Sequence, residues 1–133
     1  MRLSTACRND GIAAIGARFN NGTLQFRVGA APANVGDPLS GVLLGTCGFQ
    51  ATAFQAAANG GITANTISSD VDVDATGTCG YAAVLESDGT TVAALLSVGL
   101  TGSGADIELD SLSFEAGGVV NITGGNLTLP IGS

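Results

Sequence analysis

The chain has 133 residues, of which 45% are hydrophobic and 11% charged, with a formal net charge of −7. That length supports one domain with its own core and is too short for two; the acidic balance predicts no nucleic-acid partner, and the lack of any run of about 18 apolar residues predicts no membrane span. Histidine and lysine are both missing, which removes Ser-His-Asp, Cys-His and lysine-based nucleophiles and leaves only a shifted carboxylate as a base near neutral pH.

From the N-terminus, residues 4 to 19 form the one helix candidate. Ser4 or Thr5 can cap it, and Ile12, Ile15 and Phe19 make an apolar stripe. Gly11 and Gly16 each weaken it by about 1 kcal/mol relative to alanine, so packing must hold it. No continuous apolar segment follows Arg2 and Arg8, so no secretory signal is expected and the mature chain is expected to begin at Met1. Asn20-Asn21-Gly22 ends the helix, and Thr23 to Val28 alternates apolar and polar residues as a strand does. Residues 29 to 40, with Pro32, Asn34, Asp37 and Pro38, predict a long irregular loop of the kind that often binds partners.

A strand is predicted over residues 41 to 49, an alanine-rich connection over 50 to 59 that is as readily loop as helix, and a short strand over 62 to 67. Residues 79 to 86 and 91 to 99 form a hairpin around Ser87-Asp88-Gly89-Thr90, because Asp-Gly tolerates the backbone angles such turns need. The run from Asp106 to Pro130 alternates again and is cut by Gly117-Gly118 and Gly124-Gly125. Many of the 21 glycines stand between apolar runs without a fixed period. The fold class is therefore all-β: an antiparallel β-sandwich or jelly roll of about eight strands with a short N-terminal helix or arm. Residues 1–20 are assigned to the helix or arm and 21–133 to the sandwich.

Charge is unevenly placed. Arg2, Arg8, Arg18 and Arg27 lie in the first 27 positions against Asp10 alone, giving +3, and the remaining 106 residues carry ten acids and no base. A basic N-terminus on an acidic body suggests an arm that docks on an acidic surface, its own or a neighbour's; four arginines on a solvated helix is the equally weighted reading. Cys7, Cys47 and Cys79 match neither a disulfide framework nor C-x-x-C spacing. They read as small buried hydrophobes ahead of a single bridge, for which Cys47 and Cys79 are the pair to test.

Candidate chemistry is sparse. Glu86, Asp88, Glu108 and Glu115 could in principle pair as glycosidase carboxylates, but no catalytic signature accompanies them and no enzyme activity is expected. Asp70, Asp72 and Asp74 open like an EF-hand loop, yet Ala75 stands where glycine is needed and Tyr81 where a glutamate belongs. On an extended strand the three carboxylates would share one face, either holding a cation between subunits or, the favoured reading, guarding an edge against strand pairing. No cofactor and no metal are expected.

Several segments together resemble a family of small proteins encoded by tailed bacteriophages near their head genes: Leu3-Ser-Thr-Ala with Arg8-Asn9, Ala31-Pro-Ala33 after Gly29, Gly41-Val-Leu-Leu-Gly-Thr46, Ala56-Ala-Ala-Asn-Gly60, Ala75-Thr-Gly-Thr78, Asp88-Gly-Thr90, Ser103-Gly-Ala-Asp106 and Thr128-Leu-Pro130. The likeness spans nearly the whole chain, with Cys7 and Cys79 where the pattern has alanine. The resemblance implies a virion structural protein, a capsid decoration or cement protein on the outer shell, with the major capsid protein as partner. It also implies a homo-oligomer, for which a trimer is favoured. In that reading Arg2, Arg8, Arg18 and Arg27 of the arm and Pro32, Asn34, Asp37 and Pro38 of the loop grip the capsid. The alternative is a tail or attachment component, including a glycan-binding module that would use Tyr81.

Overall fold

The computed structural model describes residues 1–130; the last three residues of the 21–133 sandwich assignment lie outside them. One helix, α1 (Thr5–Ala17), precedes nine strands: β1 (Thr23–Val28), β2 (Leu43–Gly48), β3 (Gly61–Thr63), β4 (Gly77–Leu85), β5 (Val92–Leu96), β6 (Val98–Leu100), β7 (Ile107–Leu109), β8 (Ser113–Phe114) and β9 (Ile122–Thr128). They form two sheets. One runs β2-β1-β4-β5 with β8 joined to the start of β4, and the other runs β3-β9-β7-β6. Every pairing is antiparallel except β6 with β7, which is parallel.

The alternation of β1 places Leu24 and Phe26 opposite Val84 and Ala82 of β4, and all four are buried. They join Leu44, Cys47 and Leu96 of the first sheet, Ile107 and Leu109 of the second, and Phe114 and Val120 in one core. A period of 2 thus gives each sheet a dry inner face, and the two inner faces close on each other as a β-sandwich, while β4 is buried on both sides from Tyr81 to Leu85. Phe26 and Phe114 meet in that core with ring centroids 5.6 Å apart.

Helix α1 begins where Ser4 accepts the Cys7 N–H at 3.2 Å, as an N-cap should. Its buried line is Ile12, Gly16 and then Phe19, and Ile15 is 43% exposed. The expected stripe through Ile15 is therefore corrected. The helix approaches β3 through Gly16, where an added Cβ would lie 3.0 Å from Phe54 and closer still to Ile62. Positions i, i+4 and i+7 from Ile12 face the sandwich, and Ile15 turns away.

Two further expectations change. The strand predicted over 91 to 99 breaks at Ser97: the Asp106 carboxylate accepts the Ser97 N–H at 3.1 Å and the Ser97 hydroxyl accepts the Asp106 N–H at 2.9 Å. That exchange passes the chain from the first sheet to the second. Gly124-Gly125 lies inside β9 and does not cut it; Gly125 sits under Ala64 and Ile107, where a Cβ would be 3.2 and 3.4 Å from their side chains. The run from Asp106 to Pro130 also serves both sheets, because β8 pairs with β4 while β7 and β9 belong to the other sheet.

Candidate interaction surfaces

The four arginines do not form a free arm. Arg8 donates from Nε to the Leu129 carbonyl at 2.9 Å and from a terminal nitrogen to the Asn59 carbonyl at 3.1 Å. Asn9, one position on, accepts the Gly60 N–H at 2.8 Å. Helix α1 is in this way stapled to the end of β9 and to the turn before β3. Arg18 pairs with Glu86 at 3.5 Å with its side chain 71% exposed, a surface contact of little energetic weight. Arg27 donates to the Gly41 carbonyl at 3.0 Å and to the Gln25 side chain. Arg2 is exposed at the N-terminal end.

The loop from Gly29 to Ser40 is shaped at both ends. At its base the buried Tyr81 donates its hydroxyl to the Ser40 carbonyl at 2.6 Å and accepts the Ser40 N–H at 3.2 Å. At its tip the Asp37 carboxylate accepts the Asn34 N–H at 3.1 Å and the Asn34 side-chain amide at 3.3 Å, while Asp37 N–H returns to the Asn34 carbonyl at 3.1 Å. Val35 is 45% exposed. Asn34 and Asp37 are thus committed to holding the turn, and residues 35 to 39 lie along Leu85 and Val92 with an open groove between them. Pro38 is exposed and Pro32 half-buried.

The segment from Asp70 to Asp74 is irregular, which overturns the shared carboxylate face. Asp70 points at β2 and accepts the Thr46 N–H at 2.8 Å and the Asp72 N–H at 2.9 Å, Val73 is buried, and Asp72 and Asp74 are exposed. Among the described residues no group of three or more acidic or cysteine side chains is placed to hold a metal ion. The segment runs antiparallel to residues 117–120, with Val120 N–H on the Asp70 carbonyl at 2.8 Å and Gly117 N–H on the Val73 carbonyl at 2.7 Å. Val71 and Val119, 70% and 65% exposed, stand opposite each other there.

Cys47 and Cys79 are free thiols. They lie on the two strands flanking β1, opposite Leu24 and Val28 respectively. Two strand spacings and four residues of rise put them well beyond the roughly 7 Å that a disulfide spans between Cα atoms. Burial pushes both thiols up to about 11; at Cys47 a hydrogen bond from Asp70 opposes this and the Asp70 charge adds to it. Cys7 is exposed.

Among the described residues no aromatic ring is exposed. Tyr81 and four phenylalanines are buried, and Phe54 is half-buried against Phe19 and Phe49. Tyr81 supports the loop from beneath, a role that no spacing rule announces. Comparison with protein-family models, with curated proteins and with solved structures finds no match.

Proposed function

We propose that this chain is a virion structural protein that binds the outer surface of a phage head and stabilises the shell. Support comes from the segment-by-segment resemblance to small phage proteins and from the surface, which carries few charges and holds Val35, Val42, Val71, Leu100 and Val119 exposed. The single observation that carries the reading is the preformed loop tip at residues 34–37. Its turn is fixed by Asn34 and Asp37, so an apolar side chain is presented with little ordering cost on binding. The arginines have a smaller part than their sequence clustering implies. Arg8 and Arg27 hold the fold together, and Arg2 and Arg18 remain at the surface to meet acidic groups on the major capsid protein.

Co-sedimentation with purified capsids that lack the protein tests this. Val35→Asp should weaken binding by about tenfold or more, since a charge in a desolvated interface costs over about 1.4 kcal/mol. Removal of residues 1–20 is a poor probe, because Ile12 and Phe19 are part of the buried interior; Arg2→Ala with Arg18→Ala replaces it. Wild-type protein that stays in the supernatant while the capsids pellet, across a full concentration series, ends the proposal.

A further inference from the structure

The two edges of the first sheet are treated differently. Outside β2, the chain lays down the segment from Ser68 to Asp74: Ser68 N–H donates to Gly48 at 2.9 Å, Asp74 N–H to Leu44 at 2.7 Å, and the Asp70 carboxylate takes the Thr46 N–H. In the second sheet, β3 is likewise covered by bridges from Phe54 to Ala64 and from Ala58 to Gly61, and beside β6 the chain turns back through Ser103, packed over Gly99. Strand β5 has no such cover. Among the described residues it pairs with β4 alone.

The sequence of this open edge is Val-Ala-Ala-Leu-Leu, without a charge or a proline. Exposed edges of that kind template strand addition, and proteins that stay monomeric blunt them with lysine, proline, inward charges or bulges. Here the strand is short and a bulge lies between Val84 and Leu85 at the Val92 end, which leaves Ala94 to Leu96 in regular register. Beside the edge, Ala14, Ile15 and Arg18 of α1 and Ala93 frame an open groove of about 250 Å³. An occupant that pairs with the edge must offer an extended strand, and the uncharged, apolar side chains of the edge favour one like them. Strand β5 itself meets that description.

We infer that β5 is a self-association edge: two copies pair β5 with β5 antiparallel across a two-fold axis near Ala94, continuing the first sheet from one subunit into the other. Isologous pairing of this kind closes on itself and gives a dimer. Strand β5 itself carries no charge, and Asp88 and Asp106, beyond its two ends, are held in place by Thr90, Thr91 and Ser97. Two chains of net −7 repel at long range, so pairing should tighten as salt screens them. Pairing through an arginine and an acid would instead weaken. The inference deepens the proposed virion role by naming the surface and order of self-association, and it is tested on the protein alone, so it and capsid binding fail separately.

Sedimentation equilibrium of the full chain across a concentration series, at low and high salt, should give a monomer–dimer equilibrium that shifts toward dimer with salt. Leu95→Lys, which puts a charge opposite Ala93 of the other copy and a like charge on the diagonal, should weaken the dimer by about threefold or more, while Val42→Lys, away from the edge, should not. Hydrogen exchange supplies a reading that needs no variant: amides of Val92 to Leu96 should become protected as wild-type concentration rises. A wild-type monomer throughout, a trimer, folded Leu95→Lys associating like wild type, or edge amides whose exchange ignores concentration would each overturn it.

Discussion

Tyr81 and Ser40, 41 positions apart, exchange two hydrogen bonds between one phenol and the main-chain N–H and carbonyl of one residue. The ring is 2% exposed beneath the first sheet's loop, so β4 reaches up to fix the base of the segment from Gly29 to Ser40. Removing the hydroxyl leaves the ring's packing in place and frees only that anchor. Tyr81→Phe should cost about 1–2 kcal/mol by denaturant unfolding, with amide exchange rising at residues 30 to 40 and unchanged in β1. Wild-type stability together with unchanged loop exchange would show that the two bonds hold nothing.

The same loop closes at Gly41, which has φ +79° and would drive a Cβ into the Val28 carbonyl; Gly102 has φ +87° with nothing within 4 Å. The two glycines separate backbone conformation from crowding. Gly102→Ala should cost only the left-handed penalty, about 1–2 kcal/mol. Gly41→Ala adds overlap with a strand carbonyl and should cost about 3 kcal/mol or more. Equal losses at the two positions in thermal unfolding would mean that the loop base relaxes around an added methyl.

Legibility of the fold followed side-chain period. The alternation of Leu24 and Phe26 and the Asp88-Gly89 turn were readable because one strand's residues report their own burial. Ser97 was not, because its break depends on Asp106 arriving from nine positions away. Ile15 carried the right period and the wrong face, since the contact line of α1 is set by Gly16 meeting Phe54 and Ile62. At the candidate surfaces, the arginine clustering was visible, but its partners are main-chain carbonyls at Asn59, Leu129 and Gly41, which no charge count reveals. The open edge of β5 was written in its lack of charge, yet only the sheet order shows which strand ends the sheet.

The thiols should divide by position. Cys7 is exposed and should react with a maleimide or disulfide reagent in the native protein, while Cys47 and Cys79, 1% and 4% exposed, should react only after unfolding. Both buried thiols rise from 9.0 to about 11. A group with a raised folded value contributes stability that is complete below its unfolded value and lost as pH climbs through the folded one. Stability should therefore decline from about pH 9 to pH 11, and less so in Cys47→Ala with Cys79→Ala, although those variants also lose packing. More than one thiol titrating at native-state rates would refute the assignment.

Asp88 sets an acid-side test in the hairpin. Its carboxylate accepts the Thr91 hydroxyl and the N–H groups of Thr91 and Thr90, the latter at 2.8 and 2.9 Å, and these bonds hold it down at about 2 from an ordinary 3.8, in that order of weight. With the folded value depressed, the contribution is complete above the unfolded value and lost as pH falls through the folded one. Asp88→Asn keeps an acceptor on the turn and cannot titrate. The wild-type advantage over Asp88→Asn should thus be constant from neutral pH down to about 4 and shrink toward pH 2. A stability difference that stays level across that window would show that the hairpin takes its stability from the Asp-Gly backbone alone.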